Sequence, residues 1–90
     1  MRIRYAQRAL NQLEGVYEYL AKRSKLVARR ERDEILESLE RLEENPQLGR
    51  PVNFLNTRKL VLLKGKYVAL YTLRKREIAL TSIVSARRNI

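Results

Sequence analysis

The chain has 90 residues and a formal net charge of +10, and it contains neither cysteine nor histidine. A chain of this length has room for one hydrophobic core, so we expect residues 1–90 to form a single domain. The missing residue types exclude disulfide bonds, zinc sites with Cys or His ligands, and nucleophilic catalysis that depends on a Cys–His or Ser–His pair.

The first half of the chain predicts one strand and two helices. Residues 1–5 alternate between apolar side chains and arginines, as in a strand with one buried face. Residues 6–21 carry apolar side chains at helical spacing. Ser24 is a suitable N-cap for a second helix, which should end near Glu44 because Pro46 disfavours helical geometry in the residue before it. The short connection predicts an antiparallel helical hairpin.

The second half predicts a loop and three strands. Residues 45–56 contain both prolines of the chain and are predicted to form a loop. Residues 58–63, 67–73 and 77–84 are rich in strand formers, and the connections between them are short enough for hairpin turns. The order β-α-α-β-β-β predicts an α+β fold. In it, the helical hairpin packs on one face of a small, mainly antiparallel four-stranded sheet.

Positive charge is concentrated in the second half. Residues 1–45 carry ten basic and nine acidic side chains, whereas residues 46–90 carry ten basic side chains and a single acidic one, Glu77. Solubility alone does not require such segregation, so it points to a polyanion or an acidic protein as partner. Arginine suits either partner, because its guanidinium group binds phosphate or carboxylate through two hydrogen bonds.

Residues that could perform acid–base catalysis are scarce. The glutamates of the second helix are best interpreted as a solvated helix face that pairs with neighbouring basic residues. The three glycines are isolated, so no glycine-rich phosphate loop is present. We therefore predict no catalytic residues, no metal and no cofactor. Because the start of the chain does not look like a signal peptide and no apolar run approaches ~20 residues, we also expect a cytoplasmic location.

Three segments in this order resemble the ParE/RelE superfamily of type II toxin–antitoxin toxins: NPQLGRP at residues 45–51, NTRKLV at 56–61 and YVALY at 67–71. An apolar strand and a basic end follow. The resemblance covers nearly the whole chain and is closer to the ParE branch. It implies the RelE/ParE-like fold, and a cognate antitoxin made of a DNA-binding domain and a disordered acidic and apolar segment.

The two branches of the superfamily differ in activity. RelE-like nucleases typically begin the third strand with Tyr-Arg, whereas this chain has Tyr67 and Val68, and Ser85 stands at the usual position of a C-terminal histidine. A cation that would stabilise transition-state charge is thus replaced by an apolar group. Resemblance to ParE implies a non-enzymatic toxin that inhibits DNA gyrase and so replication. The alternatives are a RelE-like ribosome-dependent mRNA endonuclease, which would rely on Lys59 and Arg87, and a basic nucleic-acid-binding module.

Three groups of residues are predicted to contact partners. Arg58 also has a structural interpretation, as a residue that anchors a loop through a salt bridge. The apolar side chains of the third strand are included because helices on one side of a sheet leave its far face open to a partner. The groups are Arg58, Lys59, Arg87 and Arg88 for the target (gyrase or RNA); Arg50, Arg74, Lys75 and Arg76 as supporting basic surface; and Val68, Leu70, Leu13 and Leu20 for the antitoxin.

Overall fold

Two α-helices, five strands and one short 3₁₀ helix (Leu63–Gly65) form the part of the chain that the structure describes. The computed structural model describes residues 1–86. Its elements follow the predicted order, with one additional strand. They are β1 (Arg2–Tyr5), α1 (Gln7–Ala21), α2 (Lys25–Glu44), β2 (Arg50–Pro51), β3 (Thr57–Leu62), β4 (Tyr67–Leu73) and β5 (Glu77–Ser85).

The strands form one mixed sheet in the order β1-β5-β4-β3-β2. β1 pairs with β5 in parallel, and the other neighbouring strands pair antiparallel. The α+β class and the mainly antiparallel sheet are confirmed, but the expected number of four strands was wrong. The fifth strand, β2, consists of two residues inside the predicted loop. It tolerates Pro51 because it lies at the edge of the sheet, where one side needs no backbone donor.

The helical hairpin begins and ends at the residues that the sequence indicates. The Ser24 side chain accepts a hydrogen bond from the backbone N–H of Val27 at 3.2 Å, which confirms it as the N-cap of α2. α2 ends at Glu44, just before the Asn45–Pro46 step. Ala9 of α1 and Ala28 of α2 are completely buried, and their small side chains allow close packing.

The core lies between the helical hairpin and one face of the sheet. A register shift between β4 and β5 pairs Leu70 with Ser82 but Tyr71 with Leu80, leaving Thr81 without an opposite residue. This β-bulge allows residues on both sides of it to point into the core although their spacing is odd. The fully or almost fully buried large side chains are Ile35, Leu39, Leu42, Leu62, Tyr71, Ile78 and Leu80.

β1 is held at the far edge of the sheet by contacts with α2 and β5. The backbone N–H of Ile3 donates to Glu43 Oε2 at 2.9 Å, and the N–H of Ala6 donates to the carbonyl of Leu80 at 3.0 Å. These contacts connect the start of the chain to the end of the hairpin and to β5. No helix within residues 1–86 is long and apolar enough to cross a lipid bilayer.

Candidate functional site

Two cations face each other on the side of the sheet that the helical hairpin does not cover. Arg50 of β2 pairs directly with Lys59 of β3, which alternates along its strand with the buried Leu60. Like charges in directly opposite positions destabilise a sheet. Within residues 1–86 neither cation forms an ion pair. The Arg50–Lys59 pair therefore carries positive charge that no acidic side chain of the described residues offsets through an ion pair.

Arg58, which the sequence predicts as a target contact, lies on the opposite face from Lys59. It pairs with Tyr71, which belongs to the core, and so points toward the helical side. One guanidinium nitrogen, Nη1, donates to the carbonyl of Gly49 at 2.6 Å and to that of Gln47 at 3.2 Å. The geometry therefore favours the structural interpretation of Arg58, in which the residue anchors a loop. Arg58 anchors the loop between α2 and β2, through backbone carbonyls and not through a carboxylate.

Tyr71 binds the same loop from the side of the core. Its hydroxyl accepts a hydrogen bond from the N–H of Gly49 at 2.8 Å and donates one to the carbonyl of Pro46 at 2.9 Å. An added Cβ at Gly49 would lie 2.7 Å from the Tyr71 hydroxyl oxygen and 2.8 Å from the carbonyl oxygen of Lys59. Only glycine fits here. We call this arrangement of Gly49, Arg58 and Tyr71 the loop anchor, since it sets the position of Arg50.

Two tyrosines make the fold sensitive to high pH. Burial raises the pKa of Tyr71 above its usual value of 10.0, although the Gly49 hydrogen bond and Arg58 oppose the shift. Burial also raises the pKa of Tyr5, and the charges of Glu43 and Glu40 add to the effect. In both cases the folded state holds the proton more tightly than the unfolded state does. Their contribution to stability is thus complete below pH 10 and is lost as the pH rises through the folded-state pKa values.

We therefore expect the urea midpoint of unfolding to fall between about pH 8 and about pH 11. Tyr5→Phe should reduce this fall, because it removes one of the two tyrosines whose pKa is raised in the folded state. The pKa assignments would be contradicted if the wild-type midpoint did not change over this range.

The supporting basic residues of the β4–β5 turn are exposed. This turn lies at the end of the sheet where β4 stops, and its residues are Arg74, Lys75 and Arg76. The turn is next to the β2–β3 loop, because the N–H of Leu73, the last residue of β4, donates to the carbonyl of Asn56 at 2.8 Å. The predicted target residues Arg87 and Arg88 lie outside the described residues.

The four apolar residues predicted to contact the antitoxin are largely covered by their own chain. Val68 is only 8% exposed, because Val61 and Val84 pair with it from either side. Leu70 is half-buried on the same face, Leu13 packs against the core and Leu20 is half-buried on α1. The large apolar side chains that are exposed to solvent lie elsewhere in the described chain. On the helical hairpin they are Leu10, Tyr19, Leu26, Val27 and Leu36, and in the loops and β3 they are Leu48, Phe54, Leu55 and Val61.

A groove of about 610 Å³ runs between α1 and the end of β5. β1 pairs with β5 only as far as Leu80, so the next part of β5 faces α1. There, the N–H of Ile83 donates to Gln12 Oε1 at 2.7 Å. Lys66 and Glu31 form an ion pair of 3.1 Å at one end of the groove. Leu20 is the one predicted antitoxin residue that lines it, beside Val16, Tyr19, Tyr67 and Val84. Sequence reasoning missed the groove because its walls come from distant segments.

The described residues offer little for metal chemistry. Within residues 1–86, no three acidic side chains come together in a way that could hold a metal ion. The position where the mRNA-cleaving toxins carry an arginine holds Val68, which is screened by two further valines. What the arrangement provides is a basic, partly apolar surface suited to binding a macromolecule.

Comparisons with known proteins agree with this picture. The model of the family described as the ParE toxin of type II toxin–antitoxin systems, parDE, matches residues 3–90. A solved structure of the chromosomal ParDE toxin–antitoxin system from P. aeruginosa is similar to this chain with a TM-score of 0.80 and 23% sequence identity, over 94% of this chain and 95% of the other. A chain in the crystal structure of the intact E. coli RelBE toxin–antitoxin complex is similar with a TM-score of 0.70 and 16% identity, over 94% and 95% respectively. These two likenesses concern the fold. No curated protein sequence matches the chain significantly.

Proposed function

The chain belongs to the ParE toxin family of type II toxin–antitoxin systems, and on that premise we propose that it inhibits DNA gyrase by binding, without catalysing a reaction. The observation that carries this proposal is the family match, which spans residues 3–90. Gyrase inhibition is the activity associated with ParE toxins. The cytoplasm, where replication takes place, is the proposed site of action.

The surface chemistry supports binding over catalysis. A nuclease of the RelE type needs cations directed at the scissile phosphate to stabilise transition-state charge. Here the strand position in question is filled by Val68, flanked by valines on both neighbouring strands. The Arg50–Lys59 pair is cationic but has no proton-transfer group of the histidine type beside it, since the sequence contains no histidine. Such a pair suits the recognition of fixed negative charge on a protein surface.

We also propose that the antitoxin occupies the groove between α1 and β5 and continues over the helical hairpin. Tyr19 borders the groove, and Leu26 and Leu36 expose apolar surface on α2. An apolar segment that folds on binding would cover these side chains. Acidic residues in the same segment would find Arg23, which also lines the groove. The toxin and antitoxin would thus form a hetero-oligomer.

The proposed target can be tested with purified toxin in two assays: DNA supercoiling by gyrase, and cleavage of mRNA in a translating extract. We expect dose-dependent loss of supercoiling and intact mRNA. Cleavage of mRNA on ribosomes without any effect on gyrase would instead establish the endonuclease. Binding to DNA or RNA that weakens steeply with salt, with neither effect, would indicate the nucleic-acid-binding module.

Neighbouring residues of β3 should separate target contact from loop anchoring. Lys59→Ala should leave the free energy of unfolding within about 0.5 kcal/mol of wild type and weaken gyrase inhibition, because it removes a cation of the open face. Arg58→Ala should lower the free energy of unfolding by about 1–3 kcal/mol, because two loop carbonyls lose their donor. Urea unfolding and the supercoiling assay measure the two effects. Equal inhibition by Lys59→Ala and wild type would remove Lys59 from the target surface.

A further inference from the structure

The loop between β2 and β3 presents two large apolar side chains to solvent. Phe54 is 75% exposed and Leu55 is 88% exposed, the highest values among the exposed large apolar residues of the described chain. Isolated exposed apolar residues are common on protein surfaces. Two adjacent ones at the tip of an ordered loop indicate an interaction site.

Backbone hydrogen bonds fix the shape of this tip. The N–H of Thr57 donates to the carbonyl of Phe54 at 3.1 Å, which closes a β-turn with Leu55 and Asn56 at its centre. Asn56 has a φ of 55°, in the left-handed region that asparagine tolerates better than most residues. The N–H of Val52 donates to the carbonyl of Thr57 at 3.0 Å and closes the base of the loop. The two side chains are therefore held outward by a defined turn.

The end of β4 joins the tip to a turn that carries three cations. The carbonyl of Asn56 accepts from the N–H of Leu73 at 2.8 Å, and Thr57 and Thr72 face each other with their hydroxyl oxygens 3.3 Å apart. The residues that follow Leu73 are Arg74, Lys75 and Arg76, all exposed. No acidic residue occurs between Pro46 and Arg76. The next residue, Glu77, forms an ion pair with Arg4, so the tip is an apolar knob next to a turn of three cations.

The tip lies at the opposite end of β4 from the groove. The groove contacts Tyr67, the first residue of β4, whereas the tip is joined to Leu73, the last. Seven strand residues span roughly 20 Å. An antitoxin segment in the groove would leave the tip accessible, so the tip is available to a different partner.

Resting on the proposed function, we propose that the Phe54–Leu55 tip, with the Arg74–Arg76 turn beside it, is the element that anchors the toxin to gyrase. The site on gyrase would be an apolar pocket rimmed by carboxylates. A protein pocket fits better than nucleic acid, because the more exposed of the two side chains is the aliphatic Leu55, which cannot stack on a base. A protein pocket also fits better than a membrane surface. The two side chains together are smaller than a single myristoyl chain, which by itself gives only marginal membrane binding.

The test compares four purified full-length proteins in the gyrase supercoiling assay: wild type, the double variant Phe54→Ser/Leu55→Ser, Lys75→Glu, and Leu10→Ser. Leu10 is the control, since it is 43% exposed but lies on α1 and does not line the groove. We expect the double variant to need at least about tenfold more protein for half-inhibition, because a docked tip would bury both side chains. Lys75→Glu should show a loss of similar size, and Leu10→Ser should behave like wild type. Thermal unfolding checks that each variant is folded.

Each other outcome contradicts a specific statement. If wild type inhibits gyrase and both tip-region variants inhibit equally well, the tip proposal fails while the proposed function stands. If wild type does not inhibit gyrase, the proposed function fails and the tip proposal fails with it. If wild type, but not the folded double variant, sediments with phosphatidylglycerol vesicles, the partner of the tip is a lipid surface and not a protein pocket. If the double variant is unfolded, the folded Lys75→Glu variant decides: inhibition equal to that of wild type overturns the tip proposal, and a loss of inhibition supports it.

Discussion

Gly49→Ala should lower the free energy of unfolding by about 2–5 kcal/mol, a combination of overpacking and a broken buried hydrogen bond. The new methyl carbon would meet the Tyr71 hydroxyl oxygen at 2.7 Å, and the Lys59 carbonyl oxygen and the Tyr71 ring at 2.8 Å. Neither obstacle can yield easily. The carbonyl belongs to the backbone of a paired strand, and the Tyr71 side chain is fully buried. Small domains have total stabilities of only about 5–15 kcal/mol, so the variant should be partly unfolded near physiological temperature.

Gly15→Ala provides a matched control for this substitution. Gly15 is in the middle of α1, and an added Cβ there has nothing within 4 Å. Because alanine is the better helix former, this variant should be more stable than wild type by up to about 1 kcal/mol. Urea unfolding followed by circular dichroism measures both effects. Equal stability of Gly49→Ala and wild type would show that the loop can move away from Tyr71 at little cost, and the loop anchor would have to be abandoned.

Tyr71→Phe should lower the free energy of unfolding by about 2–4 kcal/mol, because one lost hydroxyl group leaves two backbone groups unsatisfied. The N–H of Gly49 loses its acceptor and the carbonyl of Pro46 loses its donor. The ring itself remains, so the packing of the core changes little. The variant should retain the fold while the loop between α2 and β2 becomes more mobile, which hydrogen exchange at Gly49 would detect.

The corresponding control is Tyr19→Phe. The Tyr19 side chain is exposed, and Arg23 lies over its ring, with the guanidinium carbon 5.9 Å from the ring centre. Phenylalanine keeps this contact, and water solvates the lost hydroxyl position, so stability should change by less than about 0.5 kcal/mol. A loss of stability in Tyr71→Phe no larger than that of the control would mean that water replaces the hydroxyl group effectively.

Much of the architecture could be predicted because it depends on local signals. The apolar stripes of the helices, the Ser24 cap and the Pro46 stop each act within a few residues, and the structure places the helix ends where they indicate. β2 was missed because two residues carry no periodicity. The parallel pairing of β1 with β5 was also not predicted, since it joins segments 75 residues apart, as in Arg2 with Glu77, and no local pattern encodes it.

The site was harder to predict because side-chain direction in a strand depends on register. Arg58 and Lys59 are equally basic in the sequence, yet they point to opposite faces, and a shift of one residue would exchange their roles. Only the pairing of Arg58 with Tyr71 reveals that it belongs to the loop anchor. The exposure of Phe54 and Leu55 was equally hidden. Apolar residues in a loop do not tell whether the loop folds back onto the core.

The parallel pairing of β1 with β5 also affects how the protein can be made. β1 leaves the ribosome more than 70 residues before its partner, Glu77–Leu80, is translated. The closing step thus joins segments far apart in sequence, a kind of contact that slows folding. Until β5 emerges, β4 has an unpaired edge. Such an edge can aggregate or pair with a strand of another chain. A binding partner already present during translation could therefore reach the toxin before its sheet is complete.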